Sequence, residues 1–176
     1  MLNICVIMFG MNGYSADNYI IDQDYFSEYT YRTMPASVNG CGCIAVFNIL
    51  KYLGQSEDIG DIISEMDSMY RIKCPGPTTM SVMRCVLEDK IPECAEHTGY
   101  KEARSAMSHS LCGILRYNEH GMPHFISYIK SGSLYRFFNV DDGLEDFEDT
   151  IDNFFSGHIC RYNYISVFTV NERIQT

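Results

Sequence analysis

The apolar residues of this chain change their period near Pro92, and that change fixes the class of fold open to it. From Gly42 to Leu53 the run GCIAVFNILKYL is apolar on nearly every side and stops at Gly54, which predicts a buried helix. A second segment has Ser56 as N-cap, acids in its first turn and apolar residues at Ile59, Ile62, Ile63, Met66 and Met69, the pattern of an amphipathic helix. After the break CPGPTT, Thr78 or Thr79 caps a third helix that buries Val82, Met83, Val86 and Leu87. Beyond Pro92, CGILRYN, HFISYIK, SLYRFFNV and RYNYISVFTV are short, partly alternating and rich in Ile, Tyr, Phe and Val, so they read as antiparallel strands. One helical insertion, GLEDFEDTIDNFF, sets Leu144, Phe147, Ile151 and Phe154 or Phe155 on one side. Residues 16–40 show no sustained period and read as an irregular lead-in. Helices first and strands second predict an α+β fold, an N-terminal helical lobe followed by an antiparallel sheet lobe. The 176 residues fit a single domain, 1–176.

Charge narrows the partners. With 23 acidic against 13 basic residues the formal charge is -10, a surface that repels nucleic acid and anionic membranes. The opening MLNICVIMFG is apolar but has no basic flank and is too short to span a bilayer, and it reads as a buried edge strand. A soluble, cytoplasmic protein is expected. The eight cysteines mostly lie inside apolar runs such as NICVIMF and SVMRCVLE, which suits buried free thiols in a reducing compartment better than a disulfide framework.

Chemistry concentrates at two places. Cys41 stands where a loop enters a helix, so the first-turn N–H groups and the positive end of the helix dipole favour thiolate. A nucleophilic cysteine needs a base held by a third group. Among the five histidines, His124 in GMPHFISYI begins a strand just after a Gly/Pro turn, where a side chain can face a cleft. His97 and His109 lie in weakly patterned polar stretches, and His120 and His158 lie beside turns. If HFISYIK and SLYRFFNV pair with Ile129 opposite Leu134, His124 lies opposite Asn139; a Gly132–Ser133 turn of type II′ sets it opposite Asp141 instead. Both registers stay open, and each offers an orienting group.

Metal readings fit poorly. Cys41, Cys43, His120 and His124 lack the spacing of a zinc site, since Cys-Gly-Cys is too short and HGMPH is broken by Gly121 and Pro123. DDGLEDFEDTID carries seven acids in twelve residues without EF-hand spacing, and reads as a solvated helix face.

The run NGCGCIAVFNILKYLG resembles the nucleophile helix of papain-like cysteine peptidases, in particular the bacterial branch that cleaves double-glycine leader peptides and its stand-alone relatives. HFISYIKSGSLYRFFNVDDG is similar to that family's histidine hairpin. The resemblance implies a papain-like fold with Cys41 as nucleophile, Gly42 behind it, Gly54 at the helix end and Cys43 at a merely small position. It implies His124 as the base, with Asn139 as its partner, fifteen residues on, or Asp141, seventeen residues on, as the alternative third member. The family's oxyanion glutamine falls on Pro35, so Asn39 becomes the nearest amide donor, beside the backbone N–H of Cys41, with Gln23 further off in sequence. The expected activity is peptide-bond hydrolysis through a thioester, on a peptide or protein substrate, without metal or organic cofactor. The alternatives are a catalytically weak or inactive peptide-binding domain, and an acyltransferase or amidase using the same Cys-His pair.

Overall fold

In the computed structural model, residues 13–119, 121–140 and 147–171 are described. The expected strand within the first ten residues lies outside them, as do Asp141, Leu144 and His120. The lead-in holds a short 3-10 turn at Gln23–Phe26, a two-stranded hairpin of β1 (Thr30–Tyr31) and β2 (Met34–Pro35), and a single helical turn α1 (Ala36–Asn39). Three helices follow: α2 (Cys41–Tyr52), α3 (Ile59–Ser68) and α4 (Met80–Lys90). The rest of the chain is β3 (Ala95–Thr98), α5 (Tyr100–His109), β4 (Cys112–Glu119), β5 (Met122–Ser131), β6 (Leu134–Phe138), β7 (Phe147–Asp149), α6 (Ile151–His158) and β8 (Ser166–Val170). The six later strands form one antiparallel sheet in the order β3-β8-β4-β5-β6-β7, so the architecture is α+β.

Strand alternation gives this sheet two apolar faces, and helices cover both. Ile114, Phe125, Ile129, Phe138 and Phe168 share a core with α2, α3 and α4. Leu115, Ile126, Tyr128, Phe137 and Val167 share a second core with α5 and α6. The simple order of helices then strands therefore needs correcting. Strand β3 and helix α5 intervene between α4 and β4, and α5 escapes a periodicity search because it buries only Ala103 and Met107, a stripe one residue wide. The N-cap of α3 is Asp58, whose side chain accepts from the Gly60 N–H, rather than Ser56. Thr79, not Thr78, caps α4. Of RYNYISVFTV only Ser166–Val170 is strand.

Helix α2 runs through the centre of the first core. Ile44, Val46, Ile49 and Leu50 are all within 1 % of full burial, and burying each side chain stabilises the fold by roughly 1.5–3 kcal/mol. The helix ends in a Schellman motif: Gly54 takes φ +82°, its N–H reaches the Lys51 carbonyl, and the Gln55 N–H reaches that of Leu50. At its other end Gly42 is required by a close approach. A Cβ there would lie 2.4 Å from Thr78 Oγ1 and 2.7 Å from Thr78 Cβ, in the segment leading to α4.

Gly42→Ala should therefore lower stability by about 1–3 kcal/mol through overpacking. Urea unfolding measures it; a change below a few tenths of a kcal/mol would contradict this packing.

Candidate functional site

The docking of α2 on β5 brings the two expected residues together. Asn48, fully buried two turns along the helix from Cys41, donates to Ser127 Oγ at 3.1 Å on the strand that carries His124. The same amide clamps both backbone groups of Ile20 at 2.8 Å, so three parts of the chain converge on one side chain. A buried amide with every hydrogen bond made allows one seating of helix on strand.

Cys41 is the first residue of α2, and Gly40 before it breaks the helical path at φ -83°, ψ 3°. In a continuous helix the Cys41 N–H would bond the Ser37 carbonyl. That carbonyl accepts from Gln23 Nε2 at 2.9 Å instead. The break leaves the Cys41 N–H outside the helical ladder, where it can meet a developing oxyanion.

His124 opens onto the same spot from β5. Its Nε2 donates to the backbone carbonyl of Asn139 at 2.7 Å. A carbonyl only accepts, so this bond places the proton on Nε2 and leaves Nδ1 as the ring nitrogen for the Cys41 thiol. Burial alone would push the His124 pKa down. The interaction with Cys41, the Asn139 carbonyl and Glu119 together outweigh burial and hold it up to about 9. Glu119 Oε2 lies 3.7 Å from Nε2, and the Tyr117 ring stands edge-on to the imidazole at 5.8 Å.

Asn139 thus meets His124 by its main chain, whereas a side-chain carboxamide is what the sequence suggests. The hairpin adopts the register with the Gly132–Ser133 turn, pairing Ser131 with Leu134 and Ser127 with Phe138; Gly132 takes φ +63° as a II′ turn requires. The ladder ends at Phe138. Asn139 then takes the left-handed conformation, φ +62°, which Asn tolerates better than most residues and which turns its carbonyl toward the ring. Its side chain faces the other way: Oδ1 accepts from the Gln23 N–H and Nδ2 donates to Gln23 Oε1, both at 3.1 Å. Asp141, the alternative in this register, lies outside the described residues.

The oxyanion expectation for Asn39 also changes. Its Nδ2 donates to the carbonyls of Tyr31 at 2.9 Å and Gly76 at 3.0 Å, so both N–H groups are spent on the protein. Asn39 braces one wall of the site. Arg32 braces the same wall by donating to the Pro77 carbonyl and to Cys74 Sγ while stacking 4.2 Å over the Tyr70 ring. Gln23 is the amide that reaches the cleft. Nothing near Cys41 in the sequence marks it; only the return of the lead-in across α1 brings it there.

Cys41 and His124 both line a cleft of about 540 Å³. Met34, Val38, Pro75, Pro77, Met122 and Pro123 also line it, with Gln23 and Glu119 as polar members. Cys43 is fully buried, and desolvation pushes its thiol pKa up, with the Cys41 charge adding to the effect, so it is inert filler. Of the described cysteines, Cys41, Cys43, Cys74, Cys85, Cys94 and Cys160 are free thiols. Among the described residues, no three His, Cys, Asp or Glu side chains group to hold a metal, and no helix is long and apolar enough to cross a membrane. No protein-family model and no curated protein matches this chain.

Because the supporting group is a carbonyl, Asn139→Gly should keep the downfield Nε2–H proton resonance of His124, and Asn139→Val should lose it. Val should also cost about 1–2 kcal/mol more than Gly in urea unfolding, the strain of a left-handed β-branched residue. Loss of the resonance in the glycine variant would show that the side chain is what supports the ring.

Proposed function

We propose that this chain is a papain-like cysteine peptidase with Cys41 as nucleophile and His124 as its base. The observation that carries the reading is that Cys41, at a helix N-terminus, and His124 line the same open cleft. His124 Nδ1 takes the Cys41 proton, and the sulfur attacks a peptide carbonyl. The tetrahedral oxyanion is met by the Cys41 N–H and by the second N–H of Gln23 Nε2. Collapse to a thioester expels the amine, which takes its proton from the imidazolium; water, deprotonated by His124, then hydrolyses the thioester and releases the acid. The carbonyl of Asn139 holds the ring throughout.

A catalytically weak peptide-binding domain is the second reading, and one observation favours it. The Asn39 amide is committed to the cleft wall, and Gln23 is already held by Ser37 and Asn139, so the oxyanion site rests on few free donors. Removing one such donor typically costs on the order of 100- to 1000-fold in rate.

Hydrolysis of a mixed peptide library, followed by mass spectrometry, separates the two. Cys41→Ala should abolish cleavage and Cys43→Ala should leave most of it; no cleavage by the wild-type chain, or cleavage surviving Cys41→Ala, contradicts the peptidase reading. The pH dependence has a fixed sign. A histidine held up to about 9 keeps the proton that it must deliver to the leaving amine below that pH, so kcat/KM should fall as pH rises through about 9. A profile whose alkaline limb lies near pH 6.5, the ordinary histidine value, would remove the coupling between the two side chains.

A further inference from the structure

We propose that Glu119 is a positioning residue of the dyad, supplying a fixed negative charge beside the His124 imidazole that favours its protonated form next to Cys41. The proposal rests on the dyad reading above and adds a residue that neither motif contains.

The geometry divides one task between two groups. A third residue of Asp type would both orient the imidazole and offset its charge. Here the orienting partner is a neutral carbonyl, since the Asn139 side chain is turned to Gln23. A carbonyl fixes the ring and its tautomer but carries no formal charge. Glu119 Oε2 lies 3.7 Å from the same Nε2, too far for the hydrogen bond and close enough for the charge to act. Both side chains are mostly covered, 15 % exposed for His124 and 20 % for Glu119, so solvent screens the pair only in part.

The carboxylate is held in place rather than passing by. The Tyr117 hydroxyl donates to Glu119 Oε1 at 3.0 Å and also reaches the Val140 carbonyl at 3.3 Å, at the base of the segment that presents Asn139. The Tyr117 ring is 1 % exposed and packs edge-on against the imidazole. In the antiparallel ladder Tyr117 is the direct partner of His124 and Glu119 that of Met122, so β4 delivers ring and carboxylate from a fixed register. The groups that bear on the imidazole among the described residues are Cys41 from α2, Tyr117 and Glu119 from β4 and the Asn139 carbonyl after β6. Glu119 is the one carboxylate in that set.

The test is an NMR titration of the His124 ring in the whole protein, which needs no substrate. Glu119→Gln keeps an acceptor for Tyr117 and removes the charge, and should move the His124 midpoint down. Tyr117→Phe, which keeps the packing but releases the carboxylate, should move it the same way by less. The alkaline limb of peptide hydrolysis should shift by the same amount as the midpoint in Glu119→Gln. An unchanged midpoint in both variants, or a fall produced by Asp141→Asn and not by Glu119→Gln, overturns the role of Glu119. The peptidase reading fails separately, through cleavage that survives Cys41→Ala.

Discussion

The seating of helix α2 on strand β5 is the constraint on which the site depends. Cys41 belongs to the helix and His124 to the strand, and neither carries chemistry alone. Their meeting is set two turns away, where Asn48 binds Ser127 and the Ile20 backbone inside the core. Gly42 adds a second restriction, because only a residue without Cβ lets the first turn of α2 approach Thr78. The apolar burial of Ile44, Val46, Ile49 and Leu50 supplies the affinity between layers. The polar clamp and the glycine determine where along the strand that affinity is satisfied.

The same economy runs through the site. Gln23 answers three needs at once: it takes the Ser37 carbonyl away from the helical ladder, holds the Asn139 side chain by two hydrogen bonds, and presents an amide to the cleft. Because the Asn139 side chain is committed to Gln23, its carbonyl is left to support His124, and the left-handed backbone makes that possible. Strain recurs in the facing wall, where Arg32 and Thr33 form the two-residue turn between β1 and β2 at φ +50° and +66°. A β-branched residue at positive φ costs about 1–3 kcal/mol, and the neighbouring Arg32 is anchored to the Pro77 carbonyl and Cys74 Sγ.

The parts of this structure that repeat a period are the parts that the sequence makes readable. Helices α2, α3 and α4 and strands β4 to β6 follow from apolar spacing within a few residues. Cys41 and His124 follow from a loop-to-helix junction and a strand start. Helix α5 does not, because two buried residues, Ala103 and Met107, make too faint a stripe. The groups around Cys41 and His124 are hidden for a different reason. Gln23 and Glu119 reach it through chain reversal and sheet register, and the contribution of Asn139 is a carbonyl, which every residue possesses. No residue type signals a main-chain acceptor. Asn39 shows the converse, a well-placed amide in sequence whose N–H groups are consumed by Tyr31 and Gly76.

In the proposed peptidase one thiol among many is activated, and a histidine from another layer activates it. The most direct measurement is the site-resolved rate of iodoacetamide labelling at neutral pH, mapped over every cysteine by mass spectrometry, with and without His124→Ala. Cys41, although only 4 % exposed, should label faster than the exposed Cys74, Cys85 and Cys160, and the histidine substitution should remove this advantage. Labelling that follows exposure alone, with Cys41 slow in both proteins, would contradict it.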